Sequence, residues 1–312
     1  MRYAPLGKTN LQVSHISFGA SSLGGVFREV AETKAIEAVL AAIEMGINYI
    51  DVAPAYGGTK AEIVLGMALR QVPRDQYYLS TKVGKYTAIN NYGQDKFDYS
   101  AAGIKKSLEE SAQRIGVDYF DIVHLHDIEY NNRQHTEWAL SEGIQTLQEL
   151  KASRQIGAVG IGMYPVDLWE RVIQEELIDV GLSHNIYSLN DTRLEGLLPL
   201  AAAKGIGMIS ASPFSSGLLT TRGAPAWHPA TAEQRAIFAA AAAYCQKMGT
   251  PIEKLAIQFS SQNPHISTTL FSSADPDSVR RNLAWCEEPI DQHLLQQVRQ
   301  ILAPVTNVNW KY

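Results

Sequence analysis

Short apolar segments and amphipathic helical patterns alternate along the chain from about residue 16 to about residue 285. This alternation restricts the fold strongly, because a helix between two strands usually returns the chain to a parallel neighbouring strand. The predicted strands are residues 16–19, 47–51, 77–82, 119–125, 156–161, 179–183, 206–210 and 266–271. Eight such units in about 270 residues predict an α/β fold of the closed (β/α)8 type, a TIM barrel.

An open doubly wound sheet is the alternative fold for this alternation. Such a sheet normally carries a GxGxxG turn after its first strand, and the sequence contains no such motif. No repeat, linker or low-complexity tract divides the chain, so residues 1–312 are expected to form a single barrel domain. Lys8-Thr9-Asn10, between apolar flanks, predicts an N-terminal β-hairpin that closes the bottom of the barrel.

Composition excludes several classes of protein. The chain is 46% apolar and 19% charged, as in soluble globular proteins. Its net charge of −5 gives no reason to expect a nucleic-acid partner. No run approaches the ~20 apolar residues of a membrane span, and residues 1–5 contain no apolar signal region. Cys245 and Cys286 are expected to stay reduced, so we expect a cytoplasmic protein.

Polar residues lie at or just after the ends of three predicted strands. Asp51 ends the second strand, and Tyr56 follows it by five residues. Lys82 ends the third strand, and His126 directly follows the fourth. In a parallel barrel the carboxyl ends of all strands meet at one mouth, where barrel enzymes carry out their chemistry. We therefore expect these side chains to converge in an active site.

A tyrosine beside a lysine that pairs with an aspartate can transfer protons. The tyrosine pKa is about 10 in water, and a lysine ammonium within ~4–6 Å is expected to lower it by roughly 1–3 units. Asp51 would hold the Lys82 charge, although these two residues could instead form a structural ion pair. Tyr56 would move a proton to or from an oxygen that His126 orients, a form of catalysis worth about 100- to 10,000-fold. None of these groups carries a hydride, so the chain needs a cofactor site.

Metal catalysis is a further alternative. His124 and His126 have the HxH spacing of metal ligands, and Asp127 and Glu129 follow them directly. His184 is the only histidine at another strand end that would complete the set. We therefore expect no metal centre.

The same residues resemble the catalytic tetrad of the aldo-keto reductases. The matching pattern is Asp51-x4-Tyr56, Lys82 at the end of residues 80–82, and His126 after residues 121–125. Residues 47–57 are the most specific signature, and residues 6–14 resemble the N-terminal hairpin of that family. The resemblance covers almost the whole chain. It implies a (β/α)8 barrel that binds a nicotinamide dinucleotide across its C-terminal mouth.

Within this family, four segments resemble the plant-type L-galactose dehydrogenases, with L-fucose and D-threo-aldose 1-dehydrogenases as near neighbours. The segments are residues 18–27, 124–129, 209–213 and 225–230. These enzymes oxidise the anomeric carbon of a free sugar to an aldonolactone. The resemblance implies the same reaction, with Tyr56 as general base and a sugar of the L-galactose or L-fucose type as substrate. Because many relatives are monomers, we expect a monomer or a weak homo-oligomer.

The resemblance also implies where the cofactor binds. Phosphates in this fold usually lie near the loops after strands seven and eight. The expected cofactor contacts are Ser212, Ser216, Ser272, Ser273, Asn282, Gly162 and His184. Relatives that use NADPH often carry basic residues at the positions of Ser272 and Ser278, and Asp275 would repel a 2′-phosphate. NAD is therefore preferred over NADP, although Arg280 or Arg281 could turn towards the site.

Substrate contacts are expected from loops at the same mouth, including two long ones at residues 83–99 and 213–230. The expected contacts are Asp127, Glu129, Trp227, His228 and Arg28. The two carboxylates would accept hydrogen bonds from sugar hydroxyls, and the aromatic rings of residues 227 and 228 would lie over a sugar face.

Two alternative functions are left open by the sequence. One is an NADPH-dependent aldehyde or ketone reductase, which the net charge and the missing basic residues disfavour. The other is a nucleotide-binding regulatory barrel with little turnover. A pure binding protein has no need for Tyr56 together with Lys82, which favours an enzyme.

Overall fold

Eight parallel strands close into a barrel in the computed structural model, which describes residues 1–86 and 95–310. The strands are β1 (Tyr3–Pro5), β2 (Gln12–Ser14), β3 (Ile16–Gly19), β4 (Tyr49–Asp51), β5 (Tyr78–Val83), β6 (Lys85–Tyr86), β7 (Lys96–Phe97), β8 (Phe120–His126), β9 (Ile156–Met163), β10 (Val180–His184), β11 (Gly207–Ala211) and β12 (Thr268–Ser272). The barrel runs β3-β4-β5-β8-β9-β10-β11-β12, and β12 pairs with β3 to close it. The predicted (β/α)8 barrel is confirmed, and every predicted strand overlaps one of these eight.

Helices cover the outside of the barrel. They are α1 (Glu32–Glu44), α2 (Lys60–Leu69), α3 (Ala101–Ile115), α4 (Tyr130–Arg133), α5 (Thr136–Trp138), α6 (Ile144–Ala152), α7 (Val166–Gln174), α8 (Leu198–Ala203), α9 (Ala232–Lys247), α10 (Ile252–Ser261), α11 (Pro276–Glu287) and α12 (Gln292–Leu302). Ser100 is the N-cap of α3, because its Oγ accepts a 3.1 Å hydrogen bond from the Gly103 N–H. Helices α9 and α12, which pack against each other, were not predicted. The alanine-rich sequence of α9 has few large apolar side chains to mark a buried stripe.

The N-terminal hairpin closes the lower end of the barrel, as predicted. Strands β1 and β2 pair antiparallel, and the Lys8 N–H donates to the Gly205 carbonyl just before β11. Leu6 and Val13 are fully buried in one cluster with side chains from inside the barrel. Gly7 has a φ of +54°, and a Cβ there would lie 2.3 Å from the Gly207 nitrogen. Only glycine therefore allows the hairpin to approach the strand so closely.

A buried ion pair ties two outer helices to the strand that carries Lys82. Glu62 of α2 accepts a 2.6 Å hydrogen bond from Arg114 of α3, and its other oxygen accepts one from Thr81 of β5 at 3.2 Å. The Glu62 side chain is completely buried, whereas Arg114 is 20% exposed. The pair fixes the outer face of β5 while Lys82 points to the interior.

Two sequence expectations concern the rest of the fold. Cys245 and Cys286 are both buried free thiols. Among the described residues, no helix combines the length and the apolar character needed to cross a membrane. Part of the first predicted long loop, residues 87–94, lies outside the described residues.

Candidate active site

The C-terminal mouth of the barrel brings the four predicted catalytic residues together. Asp51 and His126 are the last residues of β4 and β8, and Lys82 lies near the end of β5. Lys82 Nζ donates a hydrogen bond to Asp51 Oδ2 and lies 4.7 Å from the centre of the Tyr56 ring. The rings of Tyr56 and His126 are 5.7 Å apart and nearly perpendicular. A phenol, an ammonium and an imidazole therefore face one small volume.

Asp51 is held by residues that sequence reasoning missed. Ser80 Oγ donates to Asp51 Oδ1 at 2.7 Å, and it lies 2.8 Å from the Tyr49 hydroxyl. All three side chains are buried inside the barrel. Alternation along β5 was the available signal, since residues 80 and 82 share the inner face. Both carboxylate oxygens of Asp51 are thus occupied, which fixes the position of Lys82.

The backbone around Tyr56 depends on two glycines. Gly57 has a φ of +64°, and a Cβ there would lie 2.1 Å from the Gly24 carbonyl oxygen. In return, a Cβ on Gly24 would lie 2.6 Å from the Tyr56 carbonyl oxygen. The loop after β3 and the loop after β4 therefore meet without any side chain between them, and this contact sets the height of Tyr56 above the barrel.

Burial changes the expected acidity of Tyr56. It raises the pKa of this phenol above its ordinary value, and the charge of Lys82 opposes the rise without cancelling it. The expectation that lysine lowers the pKa of Tyr56 is therefore wrong, because removing the phenolate from water raises the pKa more than the ammonium lowers it. The pKa of Lys82 is itself raised, since Asp51 and Tyr56 outweigh the effect of burial. Lys82 stays charged and Tyr56 stays protonated at neutral pH.

His126 is a neutral imidazole. Burial is the main reason that its pKa falls to about 3, and Asp127 only partly offsets that effect. The Tyr99 hydroxyl donates to the His126 carbonyl at 2.7 Å and fixes the end of β8. A neutral ring can donate a hydrogen bond to a substrate oxygen without competing for the proton that Tyr56 moves.

A charged group lies beside His126. Asp127 accepts a 2.7 Å hydrogen bond from Lys85, and its two oxygens lie 3.7 Å from His126 Nε2 and 3.8 Å from His184 Nε2. Lys85 also pairs with Asp95 at 3.1 Å. Sequence reasoning found Asp127 and His184 but missed Lys85 and Asp95, which reach the site from the loop after β5.

A single cavity of about 910 Å³ contains this constellation. That volume lies near the upper end of the range of about 300–1,000 Å³ for ligand sites. All the predicted cofactor contacts line the cavity, namely Ser212, Ser216, Ser272, Ser273, Asn282, Gly162 and His184. Asn185 also lines it and donates to Ser216 Oγ at 3.0 Å, a contact that the sequence did not reveal. The cavity extends from the four catalytic candidates to the loops after β11 and β12.

The structure separates the predicted substrate contacts into two groups. Arg28, Trp227 and Asp127 line the cavity, and the indole of Trp227 is 49% exposed there. Glu129 and His228 do not line it, so the structure does not place them where the sequence suggested. Glu129 accepts a 2.9 Å hydrogen bond from the Tyr164 N–H behind Asp127. His228 is buried against Trp310, with ring centres 4.9 Å apart, and burial lowers its pKa to about 4.

The loop after β11 has the backbone expected of a phosphate site. Ser212, Ser215 and Ser216 all have positive φ values, at 66°, 47° and 52°. Such strained conformations cost energy and are concentrated at ligand sites, and turns of this kind present backbone N–H groups to anions. The polar loops at one end and the catalytic candidates at the other fit an extended dinucleotide. Ser212, Ser216, Ser272 and Ser273 would hold its phosphates and ribose.

At the far end of the cavity, Ser278 contacts Asp275 and Arg281, two of the charged residues that bear on the choice between NAD and NADP. Its hydroxyl donates to Asp275 at 2.7 Å and accepts from Arg281 at 2.9 Å. Hydrogen bonding by Ser278 lowers the pKa of Asp275, so this carboxylate is ionised. Arg281 lines the cavity, whereas Arg280 pairs with Asp277 at 3.3 Å.

The described residues contain one group with metal-ligand geometry, in which Asp127, Glu129 and His184 offer atoms within 4.8 Å of one another. Lys85 already supplies a positive charge to Asp127. The expectation that the site works without a metal therefore stays a prediction.

Known proteins share both the sequence and the fold. Residues 15–303 match the Aldo/keto reductase family. The chain is 42% identical to L-galactose dehydrogenase from Arabidopsis thaliana, over 98% of this chain and 95% of that protein. It is 28% identical to D-threo-aldose 1-dehydrogenase from Pseudomonas sp, over 94% and 96% of the two chains.

A solved structure agrees with these sequence matches. The holo form of an aldo-keto reductase from Bacillus halodurans superposes with a TM-score of 0.77 at 26% identity, covering 97% of this chain and 96% of that one. The family resemblance inferred from the tetrad is thus confirmed, and with it an oxidoreductase that uses a nicotinamide cofactor. The chain belongs to the aldo/keto reductase family.

Proposed function

We propose that this protein is an NAD-linked aldose 1-dehydrogenase that oxidises the C1 hydroxyl of a free sugar to the aldonolactone. One observation carries the proposal. A polar wall, formed by the buried Lys85–Asp127 ion pair and by His184, stands directly beside His126 in the cavity. A simple aldehyde has no hydroxyl to offer this wall, whereas a sugar supplies several. The relatives that act on aldoses support the same assignment.

The four candidate catalytic residues would have different roles in the oxidation. His126 would orient the C1 oxygen through its neutral ring, and Tyr56 would accept the proton of the C1 hydroxyl. Lys82 would stabilise the negative charge that develops on the Tyr56 oxygen, while Asp51 holds Lys82 in place. The bound dinucleotide supplies the hydride acceptor. L-Galactose and L-fucose, which differ only in the hydroxyl at C6, are the proposed substrates.

NAD is the proposed cofactor, because the ionised carboxylate of Asp275 lies beside Ser278 and would repel a 2′-phosphate. Arg281 supports the alternative, an NADPH-dependent aldehyde or ketone reductase, since its guanidinium lines the same end of the cavity. The monomeric or weakly oligomeric state and the cytoplasmic location stay predictions.

The first experiment follows nicotinamide absorbance with NAD or NADP in turn. The sugars are L-galactose, L-fucose and D-arabinose, with D-galactose, the mirror image of L-galactose, as control. We expect turnover of the first three sugars with NAD. Reduction of simple aldehydes by NADPH without any sugar oxidation would overturn both the substrate and the cofactor assignments.

The variant Tyr56→Phe separates catalysis from binding. It removes the proton acceptor and keeps the ring, so we expect kcat to fall about 100- to 10,000-fold, with NAD affinity unchanged in a fluorescence titration. Full activity in this variant would refute the role of Tyr56. If the unmodified protein binds NAD but shows no turnover, the nucleotide-binding regulatory barrel is favoured instead.

A further inference from the structure

A buried ion pair lines the cavity but takes no part in the proton transfer described above. Lys85 Nζ lies 2.7 Å from Asp127 Oδ2, 3.1 Å from Asp95 Oδ2 and 3.8 Å from the centre of the Tyr130 ring. Asp127 and Lys85 are only 6% and 7% exposed. Removing two charges from water is expensive, and apolar residues of similar size would often be equally stable. A pair retained at the wall of a ligand cavity therefore points to recognition.

The backbone of Asp127 supports the same view. This residue has a φ of +50°, a region that side chains other than glycine, asparagine and aspartate rarely adopt. Its N–H donates to the Gly162 carbonyl at 2.8 Å, which fixes the turn directly after β8. The turn directs the carboxylate towards His126 and His184 rather than along the strand. The turn thus holds an acceptor at this position, in a conformation that aspartate adopts more readily than most residues do.

The distance to His126 limits what the carboxylate can contact. Asp127 Oδ2 lies 3.7 Å from His126 Nε2, the atom expected to hold the reacting oxygen. Oxygens on neighbouring carbons of a sugar ring are about one hydrogen-bond length apart. The carboxylate is therefore within reach of an oxygen bound next to the reacting carbon.

The charge of Asp127 determines which of the two sugar oxygens near the reacting oxygen it can contact. Burial favours the neutral acid, but the nearby ammonium of Lys85 is the main group that outweighs it and holds the pKa of Asp127 well below its usual range. An ionised carboxylate only accepts hydrogen bonds. The ring oxygen on one side of C1 has no hydrogen to donate, whereas the hydroxyl at C2 on the other side does.

We propose that Asp127 accepts a hydrogen bond from the C2 hydroxyl of the sugar, and that Lys85 is the positioning residue that keeps this carboxylate ionised and in place. This inference rests on the proposed sugar dehydrogenase activity. It makes the protein selective for 2-hydroxy aldoses over 2-deoxy sugars and simple alcohols. Asp127 is then a specificity-determining residue, separate from the residues that move the proton and the hydride.

The test compares kcat/KM for L-galactose with kcat/KM for 2-deoxy-L-galactose in the same enzyme preparation. Because a ratio is measured, the fraction of folded enzyme cancels. A hydrogen bond to a charged group is worth about 1.5–3 kcal/mol, so we expect the unmodified protein to prefer the 2-hydroxy sugar by about 10- to 100-fold. A ratio near 1 would overturn the inference while leaving the sugar dehydrogenase activity established.

Two variants then assign the preference to the ion pair. In Asp127→Asn and Lys85→Met we expect the ratio to fall at least about fivefold, with the loss mainly in turnover of L-galactose, because an acceptor without a full negative charge forms a weaker hydrogen bond. The matched control is Lys151→Met, which breaks a 2.7 Å pair with Asp179 at the opposite end of the barrel. It should leave the ratio unchanged.

The outcomes separate the two proposals. A preference that persists in both Asp127→Asn and Lys85→Met would overturn the inference, since other residues would then recognise the hydroxyl. If Lys85→Met does not fold, Asp127→Asn decides alone, because the amide keeps the size of the carboxylate. Absence of any sugar turnover in the unmodified protein would refute the proposed function itself.

Discussion

The Lys82 ammonium donates a hydrogen bond to the Asp51 carboxylate inside the barrel, where the two residues are only 1% and 3% exposed. Neither charge can be satisfied by solvent, so each depends on the other and on nearby polar groups. Val52 and Ser80 supply those groups, through the Val52 carbonyl at 3.2 Å from Lys82 and the Ser80 hydroxyl at 2.7 Å from Asp51. The catalytic centre is therefore also an energetically sensitive part of the fold.

Replacing Asp51 with Asn should reduce stability as well as activity. The variant leaves the buried Lys82 charge without its partner, which costs about 3–5 kcal/mol in comparable pairs. Urea unfolding measures this loss. Ser80→Ala is the control, because it removes one hydrogen bond to Asp51 and keeps both charges, and it should cost only about 1.5–3 kcal/mol. Equal stability of Asp51→Asn and the unmodified protein would show that Lys82 is neutral in the fold.

The pH dependence of the proton transfer should reflect Tyr56. Burial raises the pKa of Tyr56, so the phenolate that accepts a proton is a minor species at neutral pH. Oxidation should therefore increase about tenfold for each unit of pH between about 7 and 9, because the phenolate fraction does so below the pKa. The reverse reduction needs the protonated phenol and should stay constant over the same range.

His126 should not contribute to that profile. Its pKa of about 3 lies below the working range, so its ring stays neutral throughout. Steady-state measurements of kcat/KM for oxidation in overlapping buffers provide the test. An inflection near pH 6.5 would show that His126 titrates as an ordinary histidine, and a plateau below pH 9 would show that the Tyr56 pKa is not raised.

A single methyl group at Gly24 should displace Tyr56. The Cβ of Gly24→Ala would lie 2.6 Å from the Tyr56 carbonyl oxygen, which forces the two loops apart. Because misplacing a catalytic group by about 1 Å can cost about 100-fold in rate, we expect a loss of kcat of that order with a smaller change in NAD affinity.

Gly223→Ala is the control for this prediction, since it also places a methyl group on a loop at this mouth. No atom lies within 4 Å of that Cβ, although the φ of +78° adds some strain. Comparable kcat values for the two variants would contradict the proposed contact.

Removing Arg114 should destabilise the barrel through Glu62. Arg114→Leu leaves a fully buried carboxyl group without its cation, so the free energy of unfolding should fall by about 3–5 kcal/mol. The double variant Glu62→Leu with Arg114→Leu removes the buried group as well. It should recover much of that loss in a thermal or urea unfolding experiment. A double variant less stable than Arg114→Leu would contradict this expectation, because it would show that Glu62 stabilises the fold even without Arg114.

The residues at the ends of strands are the part of the site that a local sequence pattern could locate. The end of an apolar run marks the end of a parallel strand, and parallel strand ends share one mouth. Asp51, Lys82 and His126 were therefore placed correctly from their positions relative to those runs. Tyr56 followed from its spacing to Asp51 within a recognisable motif. The N-terminal hairpin was predicted for a similar reason, since a polar turn between apolar flanks is a local signal.

Other features depended on residues that are distant in sequence. Lys85 pairs with Asp127, which is 42 residues away in the sequence, so no local sequence pattern predicts that contact. Glu129 and His228 were assigned to the substrate because they lie near motif residues in the sequence. The contacts of a side chain are set by packing, and Glu129 and His228 contact Tyr164 and Trp310 without lining the cavity.

The sequence by itself determined the barrel and placed the predicted catalytic residues at the ends of its strands, because periodicity and strand ends are local properties. The tertiary structure decided how those residues behave. The pKa of Tyr56 rises rather than falls, since desolvation depends on every atom packed around the phenol. The charge of Asp127 persists because folding brings Lys85 to within 2.7 Å of it. Burial and long-range pairing are properties of the assembled barrel, and they set the chemistry of the site.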